Sequence, residues 1–307
     1  MDRYTLYAVN LNAVADVLLD QVTSFGYEDG VSEILQGGSG SVDPTYVAVG
    51  DQKPKITFST TAIATVLGYI GIDGLKIATG ETYTDAQFFL QLLAEGGTRT
   101  SGANHRQLTM NEGMIVPTQI KATHNQPATI DLLAIATYDG SNEPFALTAT
   151  VSLPGTPAVG ELFTAGKVMI NGVELGGVQD ITIDFGLKVE TFGGSGSVWP
   201  TYCAIMDRQP LITITTQGAT DLATFGLDGT AQGATDSIIY LRKLAEGGTR
   251  TADVTAEHIS FTIDEGLIRC QSLKGAHNEV MGSTVVIRPT YDGSNAIMVI
   301  SAATAIA

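Results

Sequence analysis

Charged residues are scarce in this chain. Asp, Glu, Lys and Arg make up 16% of its 307 residues, whereas about 25% is usual for a globular protein. Two explanations stay open. Much of the surface is buried against other subunits, because interface cores are depleted in charge, or a β-protein rich in Gly, Thr and Ala has a polar but uncharged surface.

Among the charged residues the basic ones are the scarcer, and their shortage excludes one kind of partner and disfavours another. The chain has 16 Lys and Arg against 32 Asp and Glu, which gives a net charge of −16. Sequence-independent binding of nucleic acid requires basic side chains that neutralise phosphates, and so does attraction to an anionic membrane. An acidic wall that repels a DNA duplex and lets it slide past stays compatible with this charge.

Cysteines and long apolar runs are also few. Cys203 and Cys270 are too few for a disulfide framework and are predicted to be free thiols. No run reaches the roughly 18 apolar residues of a membrane span, and the first residues lack the pattern of a signal peptide. We therefore expect no membrane binding and synthesis in a reducing cytoplasm.

An internal repeat is the strongest signal in the sequence. Three blocks recur in the same order, at separations of 156 (193 − 37), 151 (244 − 93) and 153 (290 − 137) residues. The matched blocks are Gly37–Tyr46 with Gly193–Tyr202, Leu93–Thr100 with Leu244–Thr251, and Thr137–Asn142 with Thr290–Asn295. Two long copies do not make a solenoid, whose short units need several neighbours to bury a core. The repeat predicts two tandem domains, 1–156 and 157–307, with the boundary near Pro157.

The four histidines follow the same repeat. His105 matches His258 and His124 matches His277, each pair 153 residues apart (258 − 105 and 277 − 124). The second pair lies in the related sequences Lys121-Ala-Thr-His-Asn125 and Lys274-Gly-Ala-His-Asn278. The N-terminal segments match more weakly, through Val22–Gly26 and Ile181–Gly186.

Alternation of apolar and polar residues predicts strands throughout. Lys55–Ser59 and Leu211–Thr215 are examples, and about seven such runs lie in each half. Thr60–Tyr69 predicts a short helix with Thr60 or Thr61 as N-cap, and residues 219–225 its counterpart. Residues 85–93 and 236–244 fit either a short helix or a strand. The predicted fold is mainly β, with two tandem homologous β-sandwich or barrel domains, each with a short flanking α-helix.

No arrangement typical of catalysis or cofactor binding is present in the sequence. Gly37–Ser41 lacks the Lys of a phosphate-binding loop, and the histidines have no Cys nearby, which favours structural histidines over zinc ligands. The Tyr-Asp-Gly segments at Tyr138 and Tyr291 are predicted to be turns, because no ladder of acidic residues follows them. We expect no enzyme, no cofactor and no metal.

Six residues are candidates for assembly contacts. Glu95 and Arg99, with Glu246 and Arg250, lie in the turn best matched between the copies. They either bridge subunits or form ordinary exposed pairs, which contribute about 0–1 kcal/mol each. Asp43 against Trp199 is the clearest difference within a matched block. A Trp in such a loop either plugs the core locally or anchors an interface.

With no catalytic constellation, few charges and a duplicated β-domain, the chain resembles the tail tube proteins of long-tailed bacteriophages. The resemblance lies in the order of elements, namely β-sandwich, flanking helix, long loop and duplication, and no site residue is carried over from it. It implies trimeric, pseudo-hexameric rings that stack into a tube in the virion tail. It also implies contact with a tape-measure protein, and viral DNA as a non-specific passenger in the lumen.

A second candidate function is a binding module, such as a phage adhesin, a baseplate protein or a capsid-decorating protein. Aromatic residues, which commonly bind glycans in the loops of β-sandwiches, make up only 7% of the chain, and Trp199 is the sole Trp. An enzyme ranks third.

Overall fold

The computed structural model describes residues 3–11, 17–19, 21–96, 99, 102, 104–155, 160–194, 196–217, 232–233, 236–245, 247, 250–275, 277 and 280–306. Within them the chain is mainly β, as predicted. The elements of the first half are β1 Arg3–Asn10, β2 Leu18–Leu19, β3 Val22–Glu28, β4 Val31–Gln36, β5 Tyr46–Gln52, β6 Lys55–Thr60, α1 Ile63–Tyr69, β7 Leu75–Ile77, β8 Ala86–Leu93, β9 His105–Met110, β10 Gly113–Thr123, β11 Thr129–Ala136 and β12 Phe145–Val151. Those of the second half are β13 Leu162–Ile170, β14 Val173–Glu174, β15 Val178–Asp184, β16 Leu187–Gly193, β17 Pro200–Arg208, β18 Leu211–Gln217, β19 Gln232–Gly233, β20 Ser237–Leu244, β21 His258–Ile263, β22 Gly266–Lys274, β23 Gly282–Pro289 and β24 Val299–Thr304.

The strand order of the first half recurs in the second. Two five-stranded antiparallel sheets have the orders β12-β9-β8-β1-β2 and β24-β21-β20-β13-β14. A ten-stranded sheet contains β3-β6-β11-β10 from the first half and β15-β18-β23-β22 from the second. The pairs β4–β5 and β16–β17 form separate two-stranded sheets. Each strand of one half therefore has a counterpart in the other.

Matching bulges fix which residues correspond. In the pairing of β3 with β6 the register shifts between Val22 and Ser24, and in the pairing of β15 with β18 it shifts between Val178 and Asp180. These strands correspond at a separation of 156 residues (178 − 22), so Phe25 holds the place of Ile181. The weak match of Val22–Gly26 with Ile181–Gly186 rests on a shared Phe-Gly dipeptide, which aligns Phe25 with Phe185. The bulges show that this alignment is wrong by four residues (185 − 181).

One hydrophobic cluster extends through both halves. It includes Phe58 and Phe88 from the first half and Ile181 and Phe261 from the second, all buried. The rings of Phe58 on β6 and Phe88 on β8 lie 5.5 Å apart, edge to face, so the five-stranded sheet packs on the ten-stranded one. The halves share a core and a sheet. The predicted boundary near Pro157 lies outside the described residues.

The helix α1 confirms the prediction for residues 60–69 in its type and place. Its N-cap is Ala62 and not Thr60 or Thr61, and no side chain caps it. The Thr60 hydroxyl accepts a hydrogen bond from the Ala62 N–H (3.1 Å) just before the helix. The predicted counterpart at 219–225 falls outside the described part of the chain. No helix among the described residues is long and apolar enough to cross a membrane.

The ambiguous segments 85–93 and 236–244 are strands β8 and β20. Each lies inside a five-stranded sheet with a partner on both sides, β1 and β9 for β8, and β13 and β21 for β20. Backbone groups in such a position are satisfied by the ladders, which decides against a helix.

Candidate functional site

The two halves meet where β10 pairs with β15. The antiparallel register runs from Gln119 opposite Asp184 to Thr123 opposite Asp180. It buries apolar side chains from both strands, including Ile120 and Ile183, each 0% exposed. Outside the ladder, the backbone N–H of His124 donates to the Gln179 carbonyl (2.7 Å) and that of Phe185 to Thr118 (3.0 Å). We call the whole surface at which the two halves of the chain meet the joint.

Arg250 connects the two halves at one end of the joint. Its guanidinium Nη2 lies 3.2 Å from Nε2 of His124 and also donates to the side-chain carbonyl of Asn125. Arg250 belongs to the second half, and His124 and Asn125 follow β10 in the first. An arginine predicted from the repeat therefore contacts a histidine from the repeat, across the boundary between the halves.

Trp199 makes an aromatic contact between the two halves in another part of the joint. Its ring lies 5.4 Å from the ring of Tyr138, at an interplanar angle of 34°. Beside it the Tyr138 N–H donates to Pro200 O and the Gln52 N–H to Val198 O, both at 2.8 Å. Trp199 thus contacts the first half of its own chain, and its role in contacts between chains stays a prediction.

A cavity of about 260 Å³ lies between β17 and the first half, and Lys76, Glu112, Tyr202 and Cys203 line it. Burial, and to a smaller extent the nearby Glu112 carboxylate, raises the pKa of the Cys203 thiol to about 11. Burial likewise raises the pKa of Glu112 above its usual value. A thiol that stays protonated near neutral pH is a poor nucleophile, so this cavity lacks an activated cysteine.

The six predicted assembly residues are not brought together. Trp199 and Arg250 lie in the joint, whereas Asp43, Glu95 and Arg99 are exposed elsewhere, and Glu246 is outside the described residues. No ion pair joins Glu95 to Arg99, although both residues are described.

Three contact residues of the joint are not among the predicted assembly candidates, namely His124, Asn125 and Tyr138. The signal was present, because both His-Asn and Tyr-Asp-Gly recur in the repeat. His105 and His258, which match each other in the repeat, are both buried and accept matching backbone hydrogen bonds. Nδ1 of His105 accepts from the Leu92 N–H and Nδ1 of His258 from the Lys243 N–H, both at 3.1 Å.

The counterparts of the joint strands are β3 and β22, at opposite ends of the ten-stranded sheet, and no described residue pairs with the outer edge of β3. The short strand β19 covers β22 only at Leu267 and Ile268. Tyr27 on β3 holds the place of Ile183 and is 47% exposed, and Leu273 on β22 holds the place of Ile120 and is 41% exposed. Side chains that the joint buries thus have exposed apolar counterparts.

The β4–β5 hairpin repeats this difference. Cys203 and Ile205 on β17 line the cavity against the first half and are half-buried. Their counterparts on β5, Val47 and Val49, are 63% and 53% exposed. The β16–β17 hairpin therefore packs against the first half. Among the described residues, no comparable surface packs against Val47 and Val49 of the β4–β5 hairpin.

The face of the ten-stranded sheet that points away from the core carries charges of both signs. Within the described part of the sheet it has four acidic and six basic side chains, namely Glu28, Asp131, Asp180 and Asp184 with Lys55, Lys76, Lys121, Arg269, Lys274 and Arg288. Lys55 pairs with Glu28 and Lys121 with Asp131, both at 2.9 Å. The strong negative charge of the whole chain does not describe this face.

Comparison of the chain with protein-family models and with curated proteins finds no match.

Proposed function

We propose that this chain is a structural subunit that joins head to tail with copies of itself into a closed ring, in the manner of a phage tail tube protein. One observation carries the proposal. The joint inside the chain pairs the β10 edge of one half with the β15 edge of the other, while among the described residues the matching edge of β3 has no partner and that of β22 pairs only with the two residues of β19. A head-to-tail contact of this kind generates rings when its rotation closes.

The internal joint also supplies the register between chains. Gln119 lies opposite Asp184 and Lys121 opposite Thr182 in the joint, so Ser272 of one chain lies opposite Glu28 of the next, and Lys274 opposite Gly26. This pairing covers Tyr27 and Leu273. An open edge with apolar residues invites strand pairing, and a second copy of this chain offers the matching edge.

Two homologous β-sandwich domains in one chain fill two ring positions, so three chains fill six. Each half contributes four full strands to the long sheet, and a closed ring of six halves has about 24. With roughly 4.8 Å between strands and a tilt near 40°, such a wall has a diameter of about 48 Å. Inward side chains take up about 10 Å of it, which leaves a lumen wider than a DNA duplex.

The face that would line this lumen is the mixed-charge face of the ten-stranded sheet. Two of its lysines pair with carboxylates, Lys55 with Glu28 and Lys121 with Asp131, and Thr and Ser side chains lie between the charged groups. DNA would then pass because carboxylates lie among the basic groups and weaken their hold on its phosphates, and not because the wall is strongly acidic. Stacking of rings, the virion tail as location and contact with a tape-measure protein belong to the same proposal.

Negative-stain electron microscopy with light scattering on the same sample tests the ring. We expect rings or hollow tubes with the mass of three chains, or multiples of it. A monodisperse monomer at every concentration would contradict the proposal.

The second candidate is a virion binding module, such as an adhesin, a baseplate protein or a capsid-decorating protein. The exposed β4–β5 hairpin favours it, because Ile34, Leu35, Val47 and Val49 are all more than half exposed. A monomer that binds a glycan array or an intact capsid through this hairpin would place the second candidate first.

A further inference from the structure

Both residues of the Arg250–His124 contact have a counterpart in the other half, Arg99 and His277, and the described part of the chain shows no contact between these two. Arg99 matches Arg250, and each arginine forms an isolated β-bridge with the last leucine of its preceding strand, Leu93 or Leu244. His277 matches His124, and each lies in a turn that follows a long strand, β10 for His124 and β22 for His277. Arg99 and His277 are both exposed. The local geometry that presents each partner is therefore built twice, but only one of the two possible contacts forms within a chain.

We propose that Arg99 of one chain binds His277 of the next, as Arg250 binds His124 within a chain. This inference rests on the proposed ring and assigns a residue pair to its joint. Arg99 follows β8 in the half that offers the β3 edge, and His277 follows β22, so the sheet pairing brings the two together. The Arg99 guanidinium donates to Nε2 of His277, and the histidine is then neutral with its proton on Nδ1.

The pair also gives the joint a direction. A basic fork on one side and a neutral nitrogen acceptor on the other cannot be satisfied by two like ends, since two arginines would repel each other. Head-to-head pairing through two β3 edges therefore lacks this contact, and head-to-tail pairing gains it. Opposed charges and matched donors commonly set the register and orientation of protein interfaces in this way.

The size of the effect follows from the exposure of the groups. A hydrogen bond of this kind changes an equilibrium by about two- to fivefold. A trimeric ring has three such joints, and the ratio of rings to free chains varies with the square of the free chain concentration. Removal of the pair should therefore raise the midpoint concentration of ring assembly by about three- to tenfold.

A double-mutant cycle tests the pair. Arg99→Gln, His277→Ala and the double variant are compared with the wild type by mass photometry over a concentration series, and the melting temperature of the unassembled chain is measured in parallel. Arg250→Gln is the matched control, because it breaks the same contact inside one chain.

We expect each single variant to weaken rings three- to tenfold, the double variant to weaken them no further, and the chain to keep its melting temperature. Arg250→Gln should lower the melting temperature instead. Additive effects in the double variant, or rings unaffected by Arg99→Gln, would overturn the pair and leave the ring standing. Absence of rings in the wild type would overturn both.

Discussion

Replacement of Asp43 by Trp should tighten the ring. Asp43 corresponds to Trp199, and the two turns have the same form, since the Asp43 N–H donates to Ser41 Oγ (3.2 Å) and the Trp199 N–H to Ser197 Oγ (3.0 Å). The counterpart of Tyr138, on which Trp199 stacks, is Tyr291, which is 65% exposed. In the proposed ring, Asp43 of one chain faces Tyr291 of its neighbour without a stacking partner for it.

The gain can be worked from the internal joint. An aromatic pair contributes about 0.5–1.5 kcal/mol beyond the area it buries, which is roughly a two- to thirteenfold change in each of three joints. The ratio of trimer to free chain varies with the square of the free chain concentration. The midpoint concentration of assembly should therefore fall by about 3- to 40-fold.

Mass photometry over a dilution series measures this midpoint. Asp43→Ala is the control for loss of the charge, and Tyr291→Ala in the Asp43→Trp background should cancel the gain. An unchanged midpoint in Asp43→Trp, or a gain that survives Tyr291→Ala, would refute the reasoning.

Two further predictions concern residues at the joint. Trp199→Ala should destabilise the unassembled chain by about 2 kcal/mol, measured by urea unfolding, because Trp199 anchors the halves of one chain; loss of rings with no change in unfolding would contradict this. Cys203 should react with iodoacetamide at pH 8 roughly a hundredfold more slowly in the folded chain than in urea, because burial raises its thiol pKa to about 11 and the thiolate is the nucleophile. Peptide mass mapping follows that reaction, and equal rates would show that the thiol is not buried.

The alternation of residues predicted the strands well, since a sheet with one buried face requires it. Ile56 and Phe58 on β6, and Ile212 and Ile214 on β18, face the core as the pattern indicates. Residues 85–93 could not be assigned from the pattern, because Phe88 and Phe89 are both nearly buried and erase the period of two.

The strand pairing that forms the joint could not be predicted from the sequence. Pairing of β10 with β15 is decided by which sheet edges meet in space, and nothing local to either strand encodes its neighbour. The repeat did single out Arg250 and Trp199, because a chain that builds the same contact twice keeps both sets of residues. What it could not tell was that each has its partner inside the chain, whereas Arg99 and Asp43 lie on free surfaces.

Disulfide trapping tests the head-to-tail ring most directly. In a Cys203→Ser, Cys270→Ser background, Gly26→Cys with Lys274→Cys places one thiol on each free edge at the proposed register. Lys121→Cys with Thr182→Cys is the matched pair inside the chain, where the two Cα positions are direct partners. Gly26→Cys with Ser272→Cys is displaced by two residues, a diagonal spacing too long for a good disulfide.

On oxidation, the edge pair should yield a covalent species of three chains of 32.1 kDa each on a non-reducing gel. The internal pair should close without any gain in mass, and the displaced pair should cross-link poorly. If the internal pair closes while the edge pair stays monomeric under conditions in which assemblies form, the ring is not built through β3 and β22, and the account is wrong.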